Sequence, residues 1–179
     1  SKGHGYTSLF LESAVAKFGP MPDARVAHIL RQVCGSLSEA HSKGLVHRDI
    51  KPANLMITTR AGLYDFVKVL DFGLVKALDA KTATALTAVG SWAGTPMYLA
   101  PEAITHPDDV DPRSDLYAVG AVGYFLLTGH TVFEGSSISQ IIHQQINDPV
   151  VPPSVRSGRP VAADLEADRA RPGTVVVAG

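Results

Sequence analysis

Between His47 and Leu55 the chain reads H-R-D-I-K-P-A-N-L, which places a carboxylate (Asp49), an ammonium (Lys51) and an amide (Asn54) on one short stretch. A carboxylate can accept or orient the proton of a hydroxyl. A lysine holds a phosphate as a compact point charge. An amide oxygen is a hard ligand suited to magnesium. A base, a phosphate-binding cation and a metal holder are the parts that phosphoryl transfer needs. That reaction draws on positioning and charge stabilisation more than on covalent help.

Three further stretches follow in order. Val69 to Lys76 reads V-L-D-F-G-L-V-K, Gly94 to Glu102 reads G-T-P-M-Y-L-A-P-E, and Asp115 to Gly120 reads D-L-Y-A-V-G. The first stretch also fits the pattern H-R-D-x-x-x-x-N at each fixed position. With these four motifs in this order, the chain resembles the catalytic (C-terminal) lobe of a eukaryotic-like, bacterial-type serine/threonine protein kinase. The resemblance runs over about residues 11–153 of a partial kinase domain taken as 1–179, and the tail 154–179 diverges.

The resemblance implies a role for each matching residue. Asp49 would be the catalytic base, and Lys51 would contact the transferring phosphate of ATP. Asn54 and Asp71 would hold Mg2+. Met56, with Leu55 and Ile57, would floor the adenine site, although plain core packing explains these three equally well. Thr95 would bond to Asp49 and Lys51, and residues 97–99 with Trp92 would line the floor for a protein substrate bearing Ser or Thr. His47 would be structural rather than a base, with Phe72 packed on it and Gly73 giving the backbone room to turn. Asp115 would accept backbone N–H groups of the catalytic loop, with simple helix capping as the competing reading. Glu102 would pair with an arginine near the end of the chain, Arg169 or Arg171. Arg48 and Lys76 are placed to bind a phosphate on the segment before Thr95, where Ser91 is the best acceptor and Thr87 the second.

The elements that must position these residues can be read from periodicity. Leu11, Val15 and Phe18 fall at helical spacing and Gly19 ends the run. Pro22 and Asp23 open a longer helix whose apolar face is Val26, Ile29, Leu30, Val33, Leu37 and Ala40, closed by Lys43 and Gly44. Cys34 lies beside that face as a small core side chain, and His28 and His41 read as surface or satisfied core histidines. Residues 55–58 and 66–70 are short β-branched runs, which predict an antiparallel hairpin with Asn54 at one end and Asp71 at the other. Residues 77–93 are rich in Ala, Thr and Ser and read as a surface segment. A nearly all-apolar helix is expected from about Asp115 to Thr128, at the centre of the core, and another from Ser137 to Asn147. Pro149, Pro152, Pro153 and Pro160 predict extended chain. Asp164 and Leu165 begin a further expected helix. The fold class is therefore mainly α with a small antiparallel β-hairpin.

Composition sets outer limits. With 179 residues, 45% of them apolar, the chain can bury one core. A net charge of −1 offers no broad basic field for nucleic acid or a membrane surface. The apolar run Leu116 to Leu127 is too short to span a bilayer. The lone Cys34 fits a reducing compartment, so a cytoplasmic location is expected. Kinases of this type also carry a glycine-rich loop, a strand lysine and a helix glutamate upstream of the catalytic loop. Residues 1–46 are taken up by two helices and offer none of them, since G-H-G at Gly3 to Gly5 is too short. The nucleotide-covering lobe is thus expected in a longer parent chain. This chain is read as a kinase fragment inactive alone, with a catalytically silent, kinase-like binding module as the alternative.

Overall fold

The computed structural model describes residues 8–60, 62–71, 96–106 and 111–166. Its first helix pair follows the sequence pattern. A two-residue strand β1 (Leu9–Phe10) runs into α1 (Leu11–Phe18), and α2 spans Asp23–Ser42. The six apolar residues expected on one face of α2 are all buried. They are the i, i+3, i+4 positions that an amphipathic helix turns towards a core.

After the catalytic loop comes a short 3-10 turn, Pro52–Asn54. Strands β2 (Leu55–Arg60) and β3 (Leu63–Val69) follow. The hairpin is longer than the sequence reading, with a tighter turn. It is also not alone: β1 pairs antiparallel with β2, giving a three-stranded sheet in the order β1-β2-β3. The sequence reading assigned no element to Leu9 and Phe10. Two residues are too few to show a strand's alternation, so only the pairing partner reveals β1.

The second half is helical. A 3-10 turn at Pro96–Tyr98 leads to the short helix α3 (Pro101–Thr105), and then come α4 (Pro112–Thr128) and α5 (Ile138–Asn147). Helix α4 starts three residues before Asp115. Asp111 is its N-cap, accepting from the Arg113 amide at 2.7 Å, and Pro112 takes the first turn, where its missing N–H costs nothing. Gly129 closes it at φ 76°, a left-handed conformation that favours glycine, and its N–H reaches the Phe125 carbonyl at 2.8 Å. Helix α4 is buried nearly all round and packs on α2. The approach is close at one point: a Cβ on Gly123 would lie 2.8 Å from Leu30 Cδ1.

The proline-rich segment departs from the extended chain expected. Pro153 opens the five-residue helix α6 (Pro153–Ser157), because proline is as suited to a first helical turn as to extended chain. The helix expected from Asp164 is a single 3-10 turn, Ala163–Leu165, with Glu166 already extended. Arg159 fastens this segment to the body. Its guanidinium donates to Asp23 Oδ1 (2.7 Å) and to the Met21 carbonyl (3.1 Å), and the Ala162 amide donates to Asp23 Oδ2 (2.7 Å). Among the described residues no helix is long and apolar enough to cross a membrane.

The α2–α4 contact predicts the effect of one substitution. Gly123→Val should lower stability by about 1–3 kcal/mol in urea denaturation, because the new methyls must displace Leu30 from a filled core. A change within a few tenths would show the contact to be loose.

Candidate active site

The catalytic loop gets its shape from one buried carboxylate. Asp115, 1% exposed, sits one turn inside α4. Its Oδ2 accepts from the His47 amide and its Oδ1 from the Arg48 amide, both at 2.8 Å. Arg48 is held at φ 69°, a conformation that costs free energy for a residue with a Cβ and persists only when neighbours fix it. The cap of α4 is Asp111, so Asp115 is left to the loop. His41, from the last turn of α2, places Nε2 at 2.8 Å from the same Asp115 Oδ2.

His47 is buried and both ring nitrogens are used. Nδ1 accepts from the Asp49 amide at 3.2 Å. The proton therefore sits on Nε2, which donates to the Leu70 carbonyl at 2.8 Å. That bond ties the catalytic loop to the residue between the end of β3 and Asp71.

Asp49, Lys51 and Asn54 converge. Lys51 Nζ lies 3.2 Å from Asp49 Oδ1. The Asn54 amide nitrogen donates to the Asp49 carbonyl (2.8 Å) and to Asp49 Oδ2 (2.9 Å). Both bonds use the nitrogen, which leaves the amide oxygen as a hard donor for a cation. The Leu70 amide donates to the Asn54 carbonyl at 2.9 Å, so Asp71 begins one residue from a direct backbone link to Asn54. Asp71 is exposed, with φ 65°. An exposed carboxylate and an amide oxygen on a side chain that is 8% exposed are hard donors that fit a magnesium ion taking its other ligands from phosphates and water. Among the described residues no cluster of three or more His, Cys, Asp or Glu able to hold a metal is found.

Strand register sorts the three residues named for the adenine floor. Leu55 and Ile57 turn into the core, 0% and 7% exposed. Met56 lies between them, half-buried, and so turns to the opposite face with its pairing partner Phe10. Only Met56 is left available to a nucleotide base.

Glu102 is exposed and accepts a 3.2 Å bond from the Ser114 hydroxyl. Its expected partners, Arg169 and Arg171, lie outside the described residues, as do Thr95, Ser91, Thr87, Trp92, Phe72, Gly73 and Lys76. One supporting residue had no reading in the sequence. Gln145, 1% exposed on α5, donates to the Pro96 carbonyl at 3.0 Å and so holds the turn that precedes Met97. Its only signal was a glutamine four residues after Ile141, on an otherwise apolar stripe. Burial pushes the Tyr98 phenol well above its usual range, with nearby Glu12 adding to the effect, so this turn carries no charge of its own.

Comparison with known proteins adds to this geometry. The family described as "Protein kinase domain" matches residues 5–167. The chain belongs to the protein kinase family. The serine/threonine-protein kinase PknL of Mycobacterium tuberculosis is 44% identical over 137 residues, covering 76% of this chain and 32% of the relative. The kinase pkn3 of Myxococcus xanthus is 41% identical over 147 residues, covering 82% and 27%. PknB of Mycobacterium tuberculosis is 38% identical over 157 residues, covering 88% and 24%. The chain therefore spans about a quarter to a third of the length of these relatives. Among solved structures, Rad53 1-466 in complex with AMP-PNP is similar, with a TM-score of 0.57 and 31% identity over 75% of this chain and 31% of that one. A mainly helical kinase fold with a small antiparallel sheet is thus established for the chain.

Two aspartates at the head of α4 make a contrasting test. Asp115→Ala leaves two inward-facing N–H groups unpaired and should cost roughly 2–5 kcal/mol. Asp111→Ala removes an exposed cap and should cost about 1 kcal/mol. Urea denaturation of the two variants checks the order, and equal losses would contradict it.

Proposed function

We propose that residues 1–179 are part of a serine/threonine protein kinase domain that transfers the γ-phosphate of ATP to a Ser or Thr hydroxyl of a protein substrate. The observation that carries this reading is the meeting of Asp49, Lys51 and Asn54 on one loop, with Asp71 joined to it through the Leu70–Asn54 bond. Asp49 orients the substrate hydroxyl and takes its proton. Lys51, already paired with Asp49, would hold the phosphoryl group that the hydroxyl attacks. Asn54 and Asp71 would supply oxygens to hold Mg2+. Magnesium, when bound, neutralises the charge spread over the transferring phosphoryl oxygens. Met56 lies under the base, and Met97 with its neighbours supports the substrate chain. Thr95, outside the described residues, is assigned to the same set as a partner for Asp49 and Lys51.

The parts that cover ATP from above are assigned to a longer parent chain. Residues 1–46 carry no glycine-rich loop, and the relatives are three to four times longer than the matched stretch. On this reading the chain by itself does not turn over. Ser91, and second Thr87, are assigned as sites whose phosphorylation orders the segment before Thr95 through Arg48, which is exposed beside the site. The lone Cys34 and the need for ATP suit a cytoplasmic setting.

Labelled ATP and Mg2+ test the proposal, given to this chain and to a longer chain that supplies an upstream lobe. The longer chain should phosphorylate a Ser/Thr protein substrate. Asp49→Asn in it should lower kcat by about a hundredfold to ten-thousandfold, and this chain alone should incorporate nothing. A longer chain that binds partners yet stays silent with every site residue intact would favour the binding-module reading instead.

A further inference from the structure

The β2–β3 hairpin carries Asn54 at the start of one strand and Asp71 just past the end of the other. Its register decides how far apart these two oxygen donors stand. A slip of one residue moves a strand by about 3.3 Å and turns its side chains to the opposite face. The two-residue β1 steadies the start of β2, and the buried Leu55, Ile57 and Val67 favour one register, but neither supports the turn end of β3.

The turn end of the hairpin is irregular. Thr58 pairs with Phe66 and Arg60 pairs with Leu63, so β3 carries one more residue than β2 between these pairs. This is a β-bulge, and Asp65 within it has φ 55°. Bulges commonly place glycine in that conformation, and an aspartate there needs outside support. Helix α2 supplies it. Arg25 grips the Asp65 carboxylate with two parallel bonds, Nε to Oδ2 and Nη2 to Oδ1, both 2.8 Å. Hydrogen bonding to Asp65 raises the Arg25 pKa against the opposing effect of burial. Gln32, two turns further along α2, donates from Nε2 to the Asp65 carbonyl (2.8 Å) and accepts at Oε1 from the Val67 amide (3.1 Å). Asp65 C=O and Val67 N–H are the two groups on the outer edge of β3 that a fourth strand would pair. One side-chain amide takes that strand's place.

We propose that Arg25 and Gln32 are positioning residues for the Asn54–Asp71 pair. By gripping the bulge at Asp65 from α2, they set the register of the hairpin and hence the separation of the two oxygen donors. The register lock follows from the hairpin geometry, and its consequence for metal binding rests on the proposed magnesium role of Asn54 and Asp71. The lock lies at the far end of the hairpin from the pair it serves and touches neither substrate nor nucleotide.

The test uses this chain with Gln32→Met, which keeps length and removes both bonds. Gln32→Glu, which keeps the bond from Val67 only, is the milder variant should the first fold poorly. Two readouts are taken. The first is amide hydrogen exchange at Leu70, whose N–H bonds the Asn54 carbonyl, against Val122 in α4 as a measure of global opening. Gln32→Met should speed exchange at Leu70 about tenfold, the worth of roughly one net hydrogen bond, and leave Val122 unchanged. The second is the affinity for Mn2+ with a non-hydrolysable ATP analogue, followed by electron paramagnetic resonance on the longer chain that supplies an upstream lobe. It should weaken about tenfold in Gln32→Met, with Gln32→Glu in between. Unchanged Leu70 exchange, or parallel acceleration at Leu70 and Val122, overturns the lock. Faster exchange at Leu70 with no Mn2+ binding even in the unmodified longer chain upholds the lock and sinks the magnesium reading of Asn54 and Asp71.

Discussion

A single carboxylate in the interior, that of Asp115, holds the catalytic loop in its working shape. Burying an ionised carboxylate is costly unless its oxygens are met by donors. Here the donors are the amides of His47 and Arg48, and the side chain of His41 stands beside them. The arrangement works in both directions. The loop's amides make a charge tolerable inside α4, and the charge keeps Arg48 in a backbone conformation that it would otherwise leave. Asp49 follows directly, and His47, turned inward, carries the constraint on to Leu70. Asp49, Lys51, Asn54 and Asp71 are thus referenced to the central helix through a few short bonds.

The core around that helix is built for rigidity. Helices α2 and α4 approach so closely that Leu30 occupies the space a side chain on position 123 would need. The sheet rests on α2 from the other side, with Val67 in the core and Gln32 against its edge. Helix α2 therefore supports both halves of the site. Its C-terminal end reaches Asp115 through His41, and its middle and N-terminal turns grip the hairpin through Gln32 and Arg25.

Much of this was legible in the sequence, and the parts that were not share a reason. The four motifs name the chemistry because their residue types and spacing are constrained by the reaction. The helices announce themselves because their apolar faces repeat over many residues. What escaped notice was what depends on one residue meeting another far away. Strand β1 exists only through its pairing with β2. Asp111 and Asp115 both flank the start of α4, and only coordinates show that the first caps the helix and the second serves the loop. The bulge at Asp65 leaves no mark on an otherwise regular run from Leu63 to Val69. Gln32 and Gln145 read as polar interruptions until their backbone partners are seen. The proline-rich stretch misled in the other direction, since proline at a first helical turn and proline in extended chain look the same.

Asp115 lies 67 residues downstream of Arg48. At ribosomal rates of about 5–20 residues per second, that separation corresponds to roughly 3 to 13 seconds of synthesis. During this interval the nascent loop has emerged without the carboxylate that shapes it, and Arg48 has no reason to hold its left-handed turn. The newly made loop thus lacks its fixed shape until α4 arrives. Any chain cut short before residue 115 carries the signature H-R-D without the carboxylate that shapes it.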